Sequence, residues 1–458
     1  MSAAGRAAEG RRAARTRLLL EGPIGPTLAR LAAPNVLAMF VTSAQSIAEG
    51  YFAGRLGVAA LAAMALVFPL VMLTQMLSAG AMGGAISSAV ARALGAGDPV
   101  RAARLTLASW VIALAAAALS AALMALFGAA IFRLLGGGEE AARRALDYAA
   151  VFFPGCVALW LLNSTLSVIR GTGNMAAPST LLFIMSLAAI PLSGAFALGW
   201  GPFPAMGTQG LALGLILANG IGAAIAMIYV LSGRVGLSFA GVGLPARSLY
   251  ADILRVGLIA GLNAFQTVLT IVLMVGLVGR YGEAALAGYG LGARLEFLLI
   301  PIVFGIGAAM TAMVGANIGA GARPRALRVA WTGSFAAAGI VGAIGAVAAI
   351  RPDLWLGLFL DPADIGPLEA GRAYFRAVAP FYACFGLGLA LYFASQGAGR
   401  MVWPVVGSLF RMATAFGGAL LLTAWTDLGV TGVFAGIAAG MFAYGVVTAL
   451  AIWRTAWR

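Results

Sequence analysis

The sequence contains no histidine, and all 29 of its basic residues are arginine. It has two cysteines, Cys156 and Cys384, and only 15 acids among 458 residues. Each shortage excludes something. Without histidine, and with acids that do not cluster, most metal chemistry is removed and no metal site is expected. Two cysteines make no disulfide framework, so both are read as packing residues. Isolated acids, no histidine and no nucleotide-binding loop exclude a membrane-embedded enzyme and its cofactors. No ring of charge or filter sequence marks a passive channel. Charged residues fill 10% of positions and apolar ones 62%. A soluble globular chain carries about 25% charged residues, so this is an integral, polytopic membrane protein.

A span needs about 20 apolar residues. Twelve stretches qualify: 27–53, 60–93, 103–131, 145–169, 177–199, 209–232, 252–278, 285–316, 327–350, 373–396, 401–424 and 430–453. The second and eighth are long and rich in glycine, which predicts tilting, bending or projection past the bilayer. The formal net charge of +14 needs no nucleic-acid partner. With both termini cytoplasmic, 19 arginines fall on the inner side and eight on the outer, while Arg294 and Arg411 lie within spans. That asymmetry is the positive-inside signal. The basic tail is read first as part of that topology signal, with contact to anionic membrane lipid as a further expectation. The first apolar stretch is span-length, so no cleavable signal peptide is expected.

The second half repeats the first. GRLGVAALAA at 54–63 returns as GRYGEAALAG at 279–288, an offset of 225. Leu94-Gly-Ala-Gly-Asp-Pro-Val-Arg101 returns as Ile318-Gly-Ala-Gly-Ala-Arg-Pro-Arg325, and Gly171-Thr-Gly-Asn-Met175 as Gly397-Ala-Gly-Arg-Met401. Chance likeness of apolar helices would not align loop glycines and prolines. The predicted fold is therefore all-α, with twelve transmembrane helices in two homologous six-helix lobes. Six is even, so the lobes share one orientation, an arrangement that transporters use to alternate access around a site between or within the bundles. The expected divisions are a cytoplasmic basic tail at 1–26, an N-terminal lobe at 27–232, a cytoplasmic linker at 233–250 and a C-terminal lobe at 251–458.

One acid stands out. Glu49 ends the first span, where an ionised group costs at least about 2.5–3.5 kcal/mol and so usually faces a cavity and has a task. Thr42, Gln45, Ser46 and Glu49 share a helical face. Pro34, two turns earlier, removes a backbone hydrogen bond and is the expected hinge. Asn163 and Asn219 are candidate neutral oxygen ligands near Glu49. The seventh span has its own polar face of Asn263, Gln266, Thr267 and Thr270. In the eighth, Arg294 and Glu296 stand two apart and so face different ways, one toward a cavity and one toward a neighbouring helix. Arg411 is a candidate partner for Glu296.

The chain resembles the multidrug and toxic compound extrusion (MATE) transporters over nearly its whole length. The likeness rests on Pro34, the acid-then-GRLG end of the first span, LGAGD at 94–98, RGTGN at 170–174, and RLE at 294–296 with GIGAAMTAMVGANIGAG at 305–321. It implies a V-shaped pair of lobes in the plasma (inner) membrane, and antiport of organic cations, drugs or other amphipathic compounds against protons or sodium. Glu49 occupies the place of the family's first-span acid, usually aspartate, implicated in cation coupling, and Asn163 resembles a polar residue lining the same lobe. Two departures matter. The fifth span lacks the family's frequent Asn and Asp, and Phe265-Gln266 stands where some sodium-linked relatives have Phe-Glu. A lone glutamate has few partners for sodium, so the proton is the expected coupling ion and sodium the alternative. Glu49, Gln45, Thr42, Asn163 and Asn219 form the expected coupling set. Glu296, Arg294, Gln266, Asn263 and Thr270 form the expected substrate set, and the working protein is expected to be a monomer. A lipid-linked or polysaccharide flippase of related architecture is the alternative. It would favour a strongly cationic cavity, and the sequence places only Arg294 and Arg411 deep.

Overall fold

A computed structural model describes residues 3–135 and 138–457. Helix α1 (Ala3–Glu21) precedes the first span, α2 (Ile24–Arg55). The second span is α3 (Val58–Gln75), a π-helical turn at Met76–Met82, and α4 (Gly83–Gly95). Then come α5 (Pro99–Leu134), α6 (Glu139–Gly171), α7 (Ala176–Leu198) and α8 (Thr208–Leu231). The second lobe begins with α9 (Arg247–Gly279), α10 (Glu283–Gly319) and α11 (Arg323–Ile350), followed by the short α12 (Asp353–Leu356). Its tenth span is α13 (Ile365–Val378), a 3₁₀ turn and α14 (Tyr382–Ala398), and α15 (Val402–Trp425) and α16 (Val430–Thr455) end the chain. Among the described residues, twelve helical segments are long and apolar enough to cross a membrane. They coincide with the twelve apolar stretches read from the sequence.

Two adjustments to the expected divisions follow from the backbone. The segment before residue 27 holds a helix, because its arginines and Leu19 find partners. Arg12 donates to the Gly236 carbonyl at 2.6 Å, and Asn317 Nδ2 donates to the Leu19 carbonyl at 3.0 Å. Thus α1 lies across the end of the bundle that carries the linker. The linker itself is shorter than expected, because α9 already starts at Arg247.

Two apolar clusters fill the bundle, and each draws on both lobes. One centres on Phe152, Cys156 and Ile86 and takes in Val256 and Tyr392 of the second lobe; the other centres on Phe375, Tyr382 and Phe434 and takes in Leu28 and Leu31 of the first. The lobes meet in the half of the bundle nearest the linker. There α4 and α10 cross on small residues. A Cβ on Gly95 would run into the Ala316 carbonyl, and one on Gly319 into the Arg92 carbonyl. Membrane helices gain little from apolar attraction in lipid, so close backbone approach is what holds such a crossing. Ion pairs reinforce it: Asp252 of α9 binds Arg92 at 2.8 Å and Arg101 at 3.0 Å. Toward the far end each lobe keeps its own partners, with Phe52 packed on Trp200 in the first lobe and Tyr374 on Phe434 in the second.

The crossing yields a prediction. Gly319→Val should destabilise the protein by about 1–3 kcal/mol through overpacking. Gly290→Val on the same helix should not, because a Cβ there meets nothing within 4 Å. Thermal unfolding in detergent, followed by tryptophan fluorescence, compares the two. Equal midpoints for both variants would contradict the tight crossing.

Candidate substrate cavity and coupling acid

A cavity of about 310 Å³ lies between the lobes. That is within the usual range for drug-sized ligands, about 300–1,000 Å³. The first lobe lines it with Met39, Thr42, Gln75, Met76, Asn163 and Arg170. The second lines it with Asn263, Thr267 and Arg411 and an aromatic wall that includes Phe304, Phe385, Tyr392 and Tyr444. The π-helical turn forms part of the floor. Such turns leave backbone carbonyls without their regular partners and gather at functional sites. Here Gln396 of α14 crosses between the lobes and donates to the carbonyls of Gly80 at 3.0 Å and Ala81 at 3.1 Å. The floor is therefore closed by a contact between the two lobes.

Glu49 does not line this cavity. It sits on α2 seven residues beyond Thr42, about 10 Å further along the helix axis. Its carboxylate accepts from Gln45 Nε2 at 3.0 Å. Among the described residues no arginine approaches it within 4 Å. The face of α2 that bears it forms a polar ladder against α7. Ser179 donates to Asn35 Oδ1 at 2.7 Å, and the Thr42 and Ser186 hydroxyls are 3.2 Å apart. Both rungs join residues 144 apart on parallel helices. The same register sets Glu49 opposite Ser193, which is fully buried and spends its hydroxyl on the Leu211 carbonyl at 3.2 Å. The ladder is thus bonded at its first two rungs, while the third carries the acid. Pro34 sits beneath it inside an unbroken α2.

Other candidates lie elsewhere. Asn163 does not join Glu49; its amide donates to Ser78 at 2.9 Å and Gln75 at 3.2 Å. Asn219 is buried on α8 and its Nδ2 has no partner. On α9 the cavity receives Asn263 and Thr267, one turn apart. Gln266 and Thr270 are not part of its lining; Gln266 Nε2 donates to the Thr270 hydroxyl at 2.8 Å instead. Neither Arg294 nor Glu296 reaches the cavity. Arg294 is exposed and lies 5.8 Å over the Phe359 ring, while Glu296 accepts a hydrogen bond from the Tyr374 hydroxyl. Arg411 makes no ion pair with Glu296 within 4 Å; its guanidinium lies over Phe385 and Tyr444. Arg170 was missed. It stands at the linker end of α6, where an arginine reads as a topology signal, yet it is 5% exposed and lines the cavity.

A family model described as MatE matches residues 34–195 and again residues 259–420. The chain belongs to the MatE family. The two matches start 225 residues apart, the same spacing as the internal repeat. Members of this family are membrane transporters, not enzymes. Among curated relatives, an FAD transporter of Shewanella oneidensis is 24% identical over 67% of this chain and 68% of its own. A probable multidrug resistance protein, NorM of Deinococcus radiodurans, is 27% identical over 92% of this chain and 93% of its own. Among solved structures, a MOP superfamily transporter from Pyrococcus furiosus superposes with a TM-score of 0.88 at 24% identity, covering 96% of this chain and 98% of that one. An outward-facing multidrug resistance MATE family transporter gives 0.86, also at 24% identity, over 96% and 97%. These likenesses place the MatE transporter fold on the whole chain.

The floor contacts generate a prediction. Asp252→Asn should free Arg92 and loosen the linker end. In a variant lacking Cys156 and Cys384, a cysteine placed at the buried Ser87 reports this. Its labelling by a maleimide from the linker side should rise about tenfold, the effect of a shift of ~1.4 kcal/mol. Unchanged labelling would show that the ion pairs do not hold the floor shut.

Proposed function

We propose that this MatE-family chain exports small amphipathic molecules through the interlobe cavity in exchange for protons, with Glu49 as the proton carrier and the linker end facing the cytoplasm. The relatives' names do not share one substrate. They include an FAD transporter and multidrug resistance proteins, and the Pyrococcus furiosus structure is described by a reverse polarity of its binding pocket. The substrate must be read from this chain's own cavity, which is apolar, aromatic on one side and sized for a drug-like molecule.

One observation carries the coupling assignment: among the described residues the side-chain bond to Glu49 comes from a neutral amide alone, and the acid sits on the face of α2 that is tied to α7. A half-buried carboxylate whose side-chain partner is a neutral amide can carry a proton unaided, whereas a dehydrated sodium ion needs several oxygens around it. Protonation removes the charge and with it the strength of the Gln45 bond, since charge-assisted hydrogen bonds are roughly twice as strong as neutral ones. That change is felt along α2 at Thr42, which is both a ladder rung and part of the cavity wall. Proton binding and cavity shape then bias one element, which is what coupling requires.

The test is transport of a pyrene-labelled amphiphile into proteoliposomes under separately imposed proton and sodium gradients. Wild type should respond to the proton gradient alone. Glu49→Gln, a fixed mimic of the protonated acid, should lose at least about 95% of proton-driven uptake, as expected when a relay residue that must titrate is locked. Sodium-driven uptake at constant pH, or full proton-driven uptake by Glu49→Gln, would refute the assignment.

A further inference from the structure

The charge inside the cavity is of one sign. Its lining contains two arginines, Arg170 from α6 and Arg411 from α15, and no carboxylate among the described residues. Neither guanidinium makes an ion pair within 4 Å, and Nε of each has no hydrogen-bond partner. Arg170 is 5% exposed. A guanidinium left unpaired in a poorly hydrated site is costly, and such groups are retained where they meet a partner. Glu296 accepts a hydrogen bond from Tyr374 and is not part of the lining. The remaining polar lining, with Gln75, Asn163, Asn263 and Ser408, is neutral. The aromatic wall offers flat apolar faces, and Arg411 already lies 5.7 Å over Phe385 and 5.5 Å over Tyr444.

We propose that the cavity selects amphipathic anions, molecules with a carboxylate or phosphate on a flat apolar body, with Arg170 and Arg411 as the anion ligands. This rests on the cavity being the transport site and sharpens the substrate class within that reading. An arginine fork matches both oxyanions, often with two parallel hydrogen bonds. The ring system of the same molecule stacks on the wall formed by Phe385, Tyr392 and Tyr444. Organic cations, the class that the family resemblance puts first, meet two like charges and no acid in this cavity. The flat faces alone would hold them weakly.

The experiment is equilibrium binding to the purified full-length protein in detergent, without any gradient, read from pyrene fluorescence. Four probes share one body: pyrenebutyrate, pyrenebutyl phosphate, pyrenebutanol and pyrenebutyl-trimethylammonium. Wild type should bind at least one anion about tenfold or more tightly than the alcohol, and the cation most weakly, in line with the strength of charge-assisted bonds. The two anions compared with each other assign carboxylate or phosphate as the preferred group. Arg170→Gln and Arg411→Gln should each weaken the preferred anion about tenfold and leave the alcohol within about twofold. Retained alcohol binding also shows that each variant is folded. Should either variant fail to bind the alcohol, the ranking of the four probes on wild type still decides. A cation bound as tightly as the anions, or anion affinity unchanged in both variants, would overturn the proposal. Binding of all four with equal affinity would overturn the polarity claim alone. Failure of all four would overturn the cavity assignment beneath it. A negative result for proton coupling leaves this ranking untouched.

Discussion

A charge inside a membrane protein must be paired, neutralised or given a task, because the surrounding hydrocarbon offers no water to solvate it. Most of this structure can be understood from that constraint. Arg92, Arg101 and Asp252 are paired, and they draw the lobes together at the linker end. Glu49 and Glu296 each have a neutral donor as side-chain partner. Arg170 and Arg411 line a cavity with no acid beside them. Three solutions to one energetic problem thus stand beside the closed linker end, the proposed proton exchange and the proposed anion recognition.

The contact between the lobes and the proposed coupling acid both involve α2. Its face toward α7 carries the ladder and Glu49, Thr42 reaches the cavity, and Val36 packs on Gly305 of the other lobe. A displacement of α2 therefore alters the acid's surroundings, the cavity wall and the contact between lobes together. Pro34 lies just before this arrangement on α2, and its missing N–H leaves a backbone carbonyl one turn earlier without its helical partner, where bending is cheapest. The small-residue crossing of α4 and α10 supplies the opposite property. It is rigid because backbone meets backbone there.

The fold was legible because its signals are local. Apolar runs set the spans, and the loop glycines and prolines exposed the duplication. The Glu49 face was also legible, since helical periodicity fixes which residues share a side. What stayed hidden depends on tertiary packing. Asn163 sits on a lobe-lining helix, but Ser78 of the π-helical turn and Gln75 at the end of α3 meet its amide instead of Glu49. Gln266 and Thr270 satisfy each other one turn apart and leave the cavity to Asn263 and Thr267. Arg170 was hidden most completely. An arginine at a helix end is ordinarily a topology marker, and nothing in the neighbouring residues reveals that the lobes bury this one at the cavity floor. Counting only Arg294 and Arg411 as deep therefore misjudged the cavity's charge, since Arg294 faces outward and Arg170 takes its place.

The central claim is that occupancy of the cavity and protonation of Glu49 are linked through α2. The most direct measurement is infrared difference spectroscopy of the protein reconstituted in lipid, comparing spectra with and without a bound amphiphile at constant pH. The account predicts a change in a protonated-carboxyl C=O band on binding, present in wild type and in Glu296→Gln and missing in Glu49→Gln. A band change that survives in Glu49→Gln, or saturated binding with no carboxyl change at all, would contradict it.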